Sequence, residues 1–141
     1  LKIATMDDLE DIKRMGLNFL AASPYKDFGN KEAVAQFIED VINGDASEKI
    51  IITKPTEGFV IGLVTPFLFG SERIVTEIAW WVEPDKRGSG IGAELHEALE
   101  YWAKNVVKCK YMTMASLDKT VEKYYKKNGY KLYERAYMKV L

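Results

Sequence analysis

The stretch with most chemical potential is Trp80-Trp81-Val82-Glu83-Pro84-Asp85-Lys86-Arg87-Gly88-Ser89-Gly90-Ile91-Gly92-Ala93. It reads as a strand, a proline stop, a basic pair and a glycine loop that opens a helix. Glycines take up positive φ and let the backbone crowd against an oxygen-rich ligand. The helix N-terminus behind them offers unpaired N–H groups and a partial positive charge, the arrangement that binds phosphate. Arg87 adds a permanent charge and Ser89 a hydroxyl. Spacing separates the phosphate motifs that compete for this loop. A nucleotide-triphosphate loop ends in Gly-Lys-Ser or Gly-Lys-Thr, which is absent. Gly88, Gly90 and Ala93 satisfy the dinucleotide pattern G-x-G-x-x-G/A. The following strand pattern over 111–116 lacks the terminal acid that grips a ribose, however, and Asp118 lies late for that role.

A third motif, Arg/Gln-x-x-Gly-x-Gly/Ala, is met by Arg87-Gly88-Ser89-Gly90-Ile91-Gly92, and a late run, Tyr125-Lys126-Lys127-Asn128-Gly129-Tyr130, is similar to a Tyr-x-x-x-Gly-Phe signature. On these two motifs, in this order, the sequence resembles the GCN5-related N-acetyltransferase (GNAT) family over nearly its whole length. The resemblance implies an α/β fold: a mixed, mostly antiparallel sheet with a central splayed parallel strand pair and helices on both faces. It implies acetyl-coenzyme A as cosubstrate and no metal. The pyrophosphate would lie on the amides of the loop from Arg87 through Gly88, Ser89, Gly90, Ile91 and Gly92 to Ala93. The pantetheine arm would pair with the backbone of Trp81, Val82 and Glu83.

The implied reaction is direct acetyl transfer from a thioester to a primary amine of a small molecule or a protein. An alkylammonium, with a pKa of about 10.4, has no lone pair, so a base must first take its proton. Glu77 is the chosen base, because it lies on the strand that would bind the pantetheine, with Glu83 in reserve. Tyr125, still protonated at neutral pH, falls on the family's tyrosine and suits protonation of the leaving thiolate. Family members often carry Asn seven residues earlier; here that position is Asp118, better suited to capping a helix than to contacting an anionic cofactor. That substitution keeps a non-catalytic module that senses acetyl-coenzyme A as the alternative function. The resemblance places the acceptor among Phe19, Tyr25, Phe28, Tyr133, Arg135 and Tyr137, whose rings suit an apolar or cationic group.

These residues need a scaffold, and periodicity supplies one. Residues 2–5 read as a short strand. Asp7 and Glu10 resemble a capping box for a helix reaching Ala22, with Leu9, Ile12, Gly16, Phe19 and Leu20 as its stripe. Asn30 can cap a second helix carrying Val34, Phe37, Ile38, Val41 and Ile42 and ended by Gly44. Between them, residues 23–29 form a ligand-facing loop. Strand patterns over 49–53, 59–69 and 73–82 predict an antiparallel meander. Ile91, Leu95, Leu99, Trp102 and Val106 define a long helix, with a strand at 111–116 and a short helix from Asp118 to Gly129. Residues 130–140 have room for one or two closing strands. His96, beside Glu94 and Glu97, reads as solvent-facing, and Met112 and Met114 as sheet-face residues.

With 141 residues and 48% hydrophobic content, the chain predicts one domain over 1–141. Its apolar runs fall short of the roughly 20 residues that cross a bilayer, and Leu1-Lys2-Ile3-Ala4-Thr5 leads straight into a charged pattern. A cytoplasmic setting without a membrane partner is expected. The single Cys109 forms no internal disulfide and reads as a small buried residue before a strand. Charge is uneven: residues 104–141 carry ten Lys or Arg against three Asp or Glu, whereas residues 1–62 carry seven against eleven. No cluster of basic and aromatic residues specific to nucleic acid stands out. The strand-rich ends suit a homodimer paired edge to edge.

Overall fold

The computed structural model describes all of residues 1–141. The chain forms β1 (Lys2–Ile3), α1 (Leu9–Ala22), α2 (Lys31–Ile42), β2 (Lys49–Lys54), β3 (Gly58–Pro66), β4 (Arg73–Val82), α3 (Ile91–Tyr101), β5 (Tyr111–Thr113) and α4 (Thr120–Lys127). The strands make one sheet in the order β1-β2-β3-β4-β5, antiparallel throughout except for the parallel pair of β4 and β5. No helix is long and apolar enough to cross a membrane.

The sheet separates two apolar cores. On one face α1 and α2 bury Ile12, Met15, Ile38 and Val41 against Phe59, Ile61, Ala79 and Trp81. On the other, α3 buries Ile91, Leu95 and Leu99 against Ile50, Ile52, Val60 and Val75. The β-branched run Ile50-Ile51-Ile52 serves both, as a strand buried on its two faces must. The helix ends reflect local chemistry. Asn30 accepts the Ala33 amide at 2.8 Å and starts α2. Before α1 the box is Thr5 with Asp8, whose carboxylate accepts the Thr5 amide at 2.8 Å, two residues ahead of the expected Asp7 and Glu10 pair. The long helix closes in a π turn, Trp102–Val106, that lets the Trp102 indole N–H donate to the Ala46 carbonyl at 3.0 Å.

Two irregularities in β4 shape the space beside it. Its register with β3 slips between Ile61, opposite Ala79, and Gly62, opposite Glu77, so Ile78 is the extra residue of a β-bulge. Val75 therefore packs in the core under α3, whereas Ala79 and Trp81 pack in the core under α1 and α2, although strict alternation would put all three on one face. In addition, β5 pairs with β4 only from Ile74 to Thr76, and past that point β4 is paired on one side alone. Residues 130–141 form no strand, so the parallel pair sits at the sheet edge and not in its centre. A three-residue β5 offers little ladder to extend, and Tyr130 is bonded to α3, which starts the closing segment away from that edge.

Glu83, just past β4, ties the strand to α1. Its buried carboxylate accepts from Arg14, from the Asn18 amide at 3.2 Å and from the Trp81 indole N–H at 3.2 Å. Replacing Glu83 with Ala leaves these donors unmatched and is expected to lower unfolding free energy by about 1–3 kcal/mol, read as a lower urea midpoint with unchanged slope.

Candidate active site

A cleft of about 390 Å³ opens where β5 leaves β4, and Glu77, Trp80, Trp81, Val82, Arg87, Gly92, Asp118 and Tyr125 all line it. One end is cationic. None of the amides from Gly88 to Ala93 donates to a backbone or side-chain acceptor within the protein, which leaves six consecutive N–H groups free at the start of α3. Gly88 and Gly90 hold them there at φ of 84° and 89°, a conformation that costs other residues about 1–2 kcal/mol. Gly92 packs on Trp80, an added Cβ falling 3.5 Å from its ring. The Arg87 guanidinium lies 4.7 Å from the Trp81 ring centroid, and its Nε donates to the Val82 carbonyl at 2.9 Å. Ser89 turns its hydroxyl inward to donate to the Lys86 carbonyl at 2.6 Å, so its amide and not its hydroxyl proton is free for a ligand.

Along the floor, the unpaired side of β4 exposes main-chain groups. The Glu83 amide bonds to Glu57 on the β3 side, so by alternation Trp81 and Glu83 spend their backbone groups inward, while Trp80 and Val82 point theirs to the open edge. Of the expected Trp81, Val82 and Glu83, only Val82 thus offers its backbone to the cleft. Trp80 joins it. The indole N–H of Trp80 is buried without a hydrogen-bond partner.

Beyond the loop the cleft is lined by two acids in different states, Glu77 and Asp118, and by Tyr125. Glu77 is 8% exposed and makes no hydrogen bond or ion pair; burial pushes its pKa up to about 8. Its placement is therefore interior and not on a solvent-facing side of β4. Tyr125, on α4, donates its hydroxyl to the Ala115 carbonyl at 2.6 Å just past β5, and its ring lies 6.2 Å from that of Trp80. Burial first, and the Glu77 and Asp118 carboxylates after it, raise its pKa, so the phenol keeps its proton. Glu83 lines neither this cleft nor the cavity beside it and is committed to α1, which argues against it as a reserve base. Asp118 accepts the Thr120 amide at 2.8 Å and the Thr120 hydroxyl, bonds that lower its pKa and fasten the start of α4, with Lys119 as the residue at the cap position itself.

Of the expected acceptor residues, Phe19 and Tyr25 line the cleft, whereas Phe28, Tyr133, Arg135 and Tyr137 are exposed and line neither that cleft nor the second cavity beside it. The last three lie in the segment that forms no closing strand.

His96 differs most from expectation: it is 1% exposed. Its Nδ1 lies 2.7 Å from the Tyr124 hydroxyl and its Nε2 2.8 Å from that of Tyr130, which in turn donates to Glu100 at 2.7 Å. Burial lowers its pKa, opposed by Glu100 and Glu97. The bonds form one consistent chain for a neutral imidazole: Tyr124 donates to Nδ1, and Nε2–H donates to Tyr130. This chain pins α4, and with it Tyr125, to α3. The sequence carried a signal only in the tyrosines at 124 and 130 that bracket the Tyr125 motif.

The acetyltransferase (GNAT) family model matches residues 15–130, and the chain belongs to that family. It is accordingly an enzyme of the N-acetyltransferase class, whose acyl donor is acetyl-coenzyme A. No curated protein matches the chain in sequence. Among solved structures it is similar to AAC(6')-Iy in complex with the bisubstrate analogue CoA-S-monomethyl-acetylneamine, with a TM-score of 0.76, 17% identity and coverage of 99% of this chain and 95% of that one. A putative acetyl transferase from Pyrococcus furiosus gives a TM-score of 0.73 at 21% identity, covering 99% of both chains. Ribosomal-protein-alanine N-acetyltransferase from Brucella melitensis biovar Abortus 2308 gives 0.70 at 16% identity, covering 100% of both. At these identities the likeness is one of fold.

The strained loop and the buried acid each have a measurable outcome. Gly90→Ala is expected to cost roughly 1–2 kcal/mol of stability through its positive φ and to weaken binding of a pyrophosphate-bearing ligand measured by calorimetry. Between pH 4.5 and about 8 the folded protein holds a proton on Glu77 that the unfolded chain has lost, so this residue's contribution to stability falls as pH rises through that window. Glu77→Gln should therefore exceed the parent in stability above pH 8, by on the order of a few kcal/mol, with the difference vanishing near pH 4.5 in urea titrations.

Proposed function

We propose that this protein transfers the acetyl group of acetyl-coenzyme A directly to a primary amine of a small molecule or protein, with Glu77 as base and Tyr125 as acid within a single domain. One observation carries the proposal: an unpartnered buried carboxyl group and a protonated phenol share a cleft with Arg87 and Gly92, which belong to a loop carrying six free amides.

The residues present fit the cosubstrate. The amides of Gly88 to Ala93 and the two Nη groups of Arg87, free of other partners, match a pyrophosphate in charge and donor number. The open edge at Trp80 and Val82 matches an amide-bearing arm that adds to a strand. Bound there, acetyl-coenzyme A supplies the acetyl group as a thioester, which is already activated toward amines.

The protein's own groups do the proton work. Glu77 ionises at a pH close to that of use, which is where a general base combines availability with driving force. Its carboxylate, directly or through one water, takes the proton that an arriving ammonium must shed. Tyr125 retains a proton for the departing sulfur, which its O–H would reach by turning from the Ala115 carbonyl to which it donates. Two protons leave nitrogen as it gains the acetyl carbon: the first, from the ammonium, goes to Glu77 and on to water, and the second, from the tetrahedral adduct, replaces the proton that Tyr125 gives to sulfur as the carbon–sulfur bond breaks.

Incubation with isotope-labelled acetyl-coenzyme A and a panel of amines is expected to give labelled amide. Tyr125→Phe should lower kcat by roughly 10²–10⁴-fold while leaving cofactor affinity within about a factor of two; unchanged turnover would remove Tyr125 from the reaction. The parent kcat/KM should rise through an inflection near pH 8. Glu77→Gln should lose that inflection and keep only the one belonging to the amine.

A further inference from the structure

A second cavity of about 350 Å³ joins the cleft at Glu77 and Ile78 and runs beneath α1 and α2. Its walls are Phe19, Leu20, Tyr25, Val34 and Phe37 above and Phe59 with other core residues below. The first five are only half-buried, so a face that the fold could have closed stands open. Glu77 is the one acidic side chain on its surface, and it sits where this cavity meets the cleft.

That combination selects among amines. A carboxylate 8% exposed, with no hydrogen bond and no cation of its own, lacks the partner that a buried charge requires. A single ammonium would satisfy it. A polycation would bring further charges into a space that offers no second anion, at several kcal/mol for each one left unpaired. An apolar body attached to the same nitrogen gains instead, at about 25 cal/mol for each Å² taken out of water. Tyr25 and Phe19, with ring centroids 6.5 Å apart at the mouth, add aromatic walls for a flat group.

We propose that the acceptor is a small primary monoamine carrying an aryl or alkyl body, with its nitrogen held at Glu77 and its body in the cavity under α1 and α2. This assignment rests on the transferase reading and names its substrate class.

The test compares 2-phenylethylamine, spermidine and a short peptide with a free N-terminus as acceptors, each with acetyl-coenzyme A. The expected result is a kcat/KM for 2-phenylethylamine at least about 100-fold above that for spermidine and for the peptide. Val34→Lys should place a charged chain in the cavity and lower kcat/KM for 2-phenylethylamine at least about tenfold, with the calorimetric Kd for acetyl-coenzyme A unchanged. Leu20→Lys, on the other rim, should do the same and guards against a folding defect in either variant. Calorimetry of 2-phenylethylamine with the coenzyme A-saturated protein should show binding that both variants lose. Preferred transfer to spermidine or the peptide, or full activity in both variants, would overturn the assignment of this cavity alone. No binding of acetyl-coenzyme A to the parent protein would overturn the transferase reading, and this one with it.

Discussion

The loss of one ladder partner by β4 after Thr76 is the constraint on which the site depends. A strand buried in a sheet cannot leave its N–H and C=O groups unmatched without cost, so the unpaired side of β4 needs other partners. The Arg87 side chain takes one, the Val82 carbonyl. Tyr125 fills the gap where β5 departs, and its hydroxyl takes the Ala115 carbonyl that a longer ladder would have used. What remains unmatched, the main-chain edge at Trp80, is shaped for an extended polar chain. The bulge at Ile78 acts at the same level of the strand. By reversing which side chains face which core, it lets Trp80 and Val82 pack toward α3 and Trp81 toward α1, with Glu77 left at the changeover.

Much of this was legible in the sequence because it is local. The glycine loop, its arginine and the helix behind it are contiguous, and the reasons for glycine at positive φ operate within two or three residues. The amphipathic periods of α1, α2 and α3 predict their buried faces, since burial selects side chains directly, except that past Trp102 the π turn exposes Val106 and buries Val107 in its place. Asn30 capped its helix as a short-range rule requires. The segment 130–140 had room for one or two closing strands, but length alone supplies no neighbour to pair with. Here β5 ends at Thr113 and no strand comes after it, so Tyr133 and Tyr137 stand exposed and leave the acceptor side to Phe19 and Tyr25. His96 failed for a different reason. Its neighbours in sequence are acidic, yet its environment is set by Tyr124 and Tyr130, about thirty residues away in sequence. The bulge carries no signature at all, because Ile78 is as ordinary in a regular strand as in an irregular one.

The electrostatics of the cleft resolve a conflict that the composition posed. An enzyme that binds a pyrophosphate and deprotonates an ammonium needs a cationic end and an anionic end within one small volume, and a permanent anion near the reacting thioester would also oppose the arriving cofactor. Burial of Glu77 removes the conflict. With a pKa near 8 the side chain is mostly neutral at pH 7, so it does not repel the phosphates, and it becomes an anion when a cation compensates it. The free amides meanwhile attract the cofactor with partial charges that need no counterion and cannot titrate.

The same reasoning extends from charge to shape. If Glu77 is charged mainly in the company of an ammonium, binding of the acceptor and creation of the base are one event, and the affinity of the amine must supply the cost of ionising a buried acid. A hydrated polyamine has little to contribute, since its remaining charges gain nothing from apolar walls. An aryl or alkyl body gains in proportion to the area it buries under α1 and α2, so the cavity provides the free energy that the carboxylate needs. Apolar contact remote from the reacting nitrogen would thus be converted into proton abstraction at it, and shortening the body should cost turnover as well as affinity.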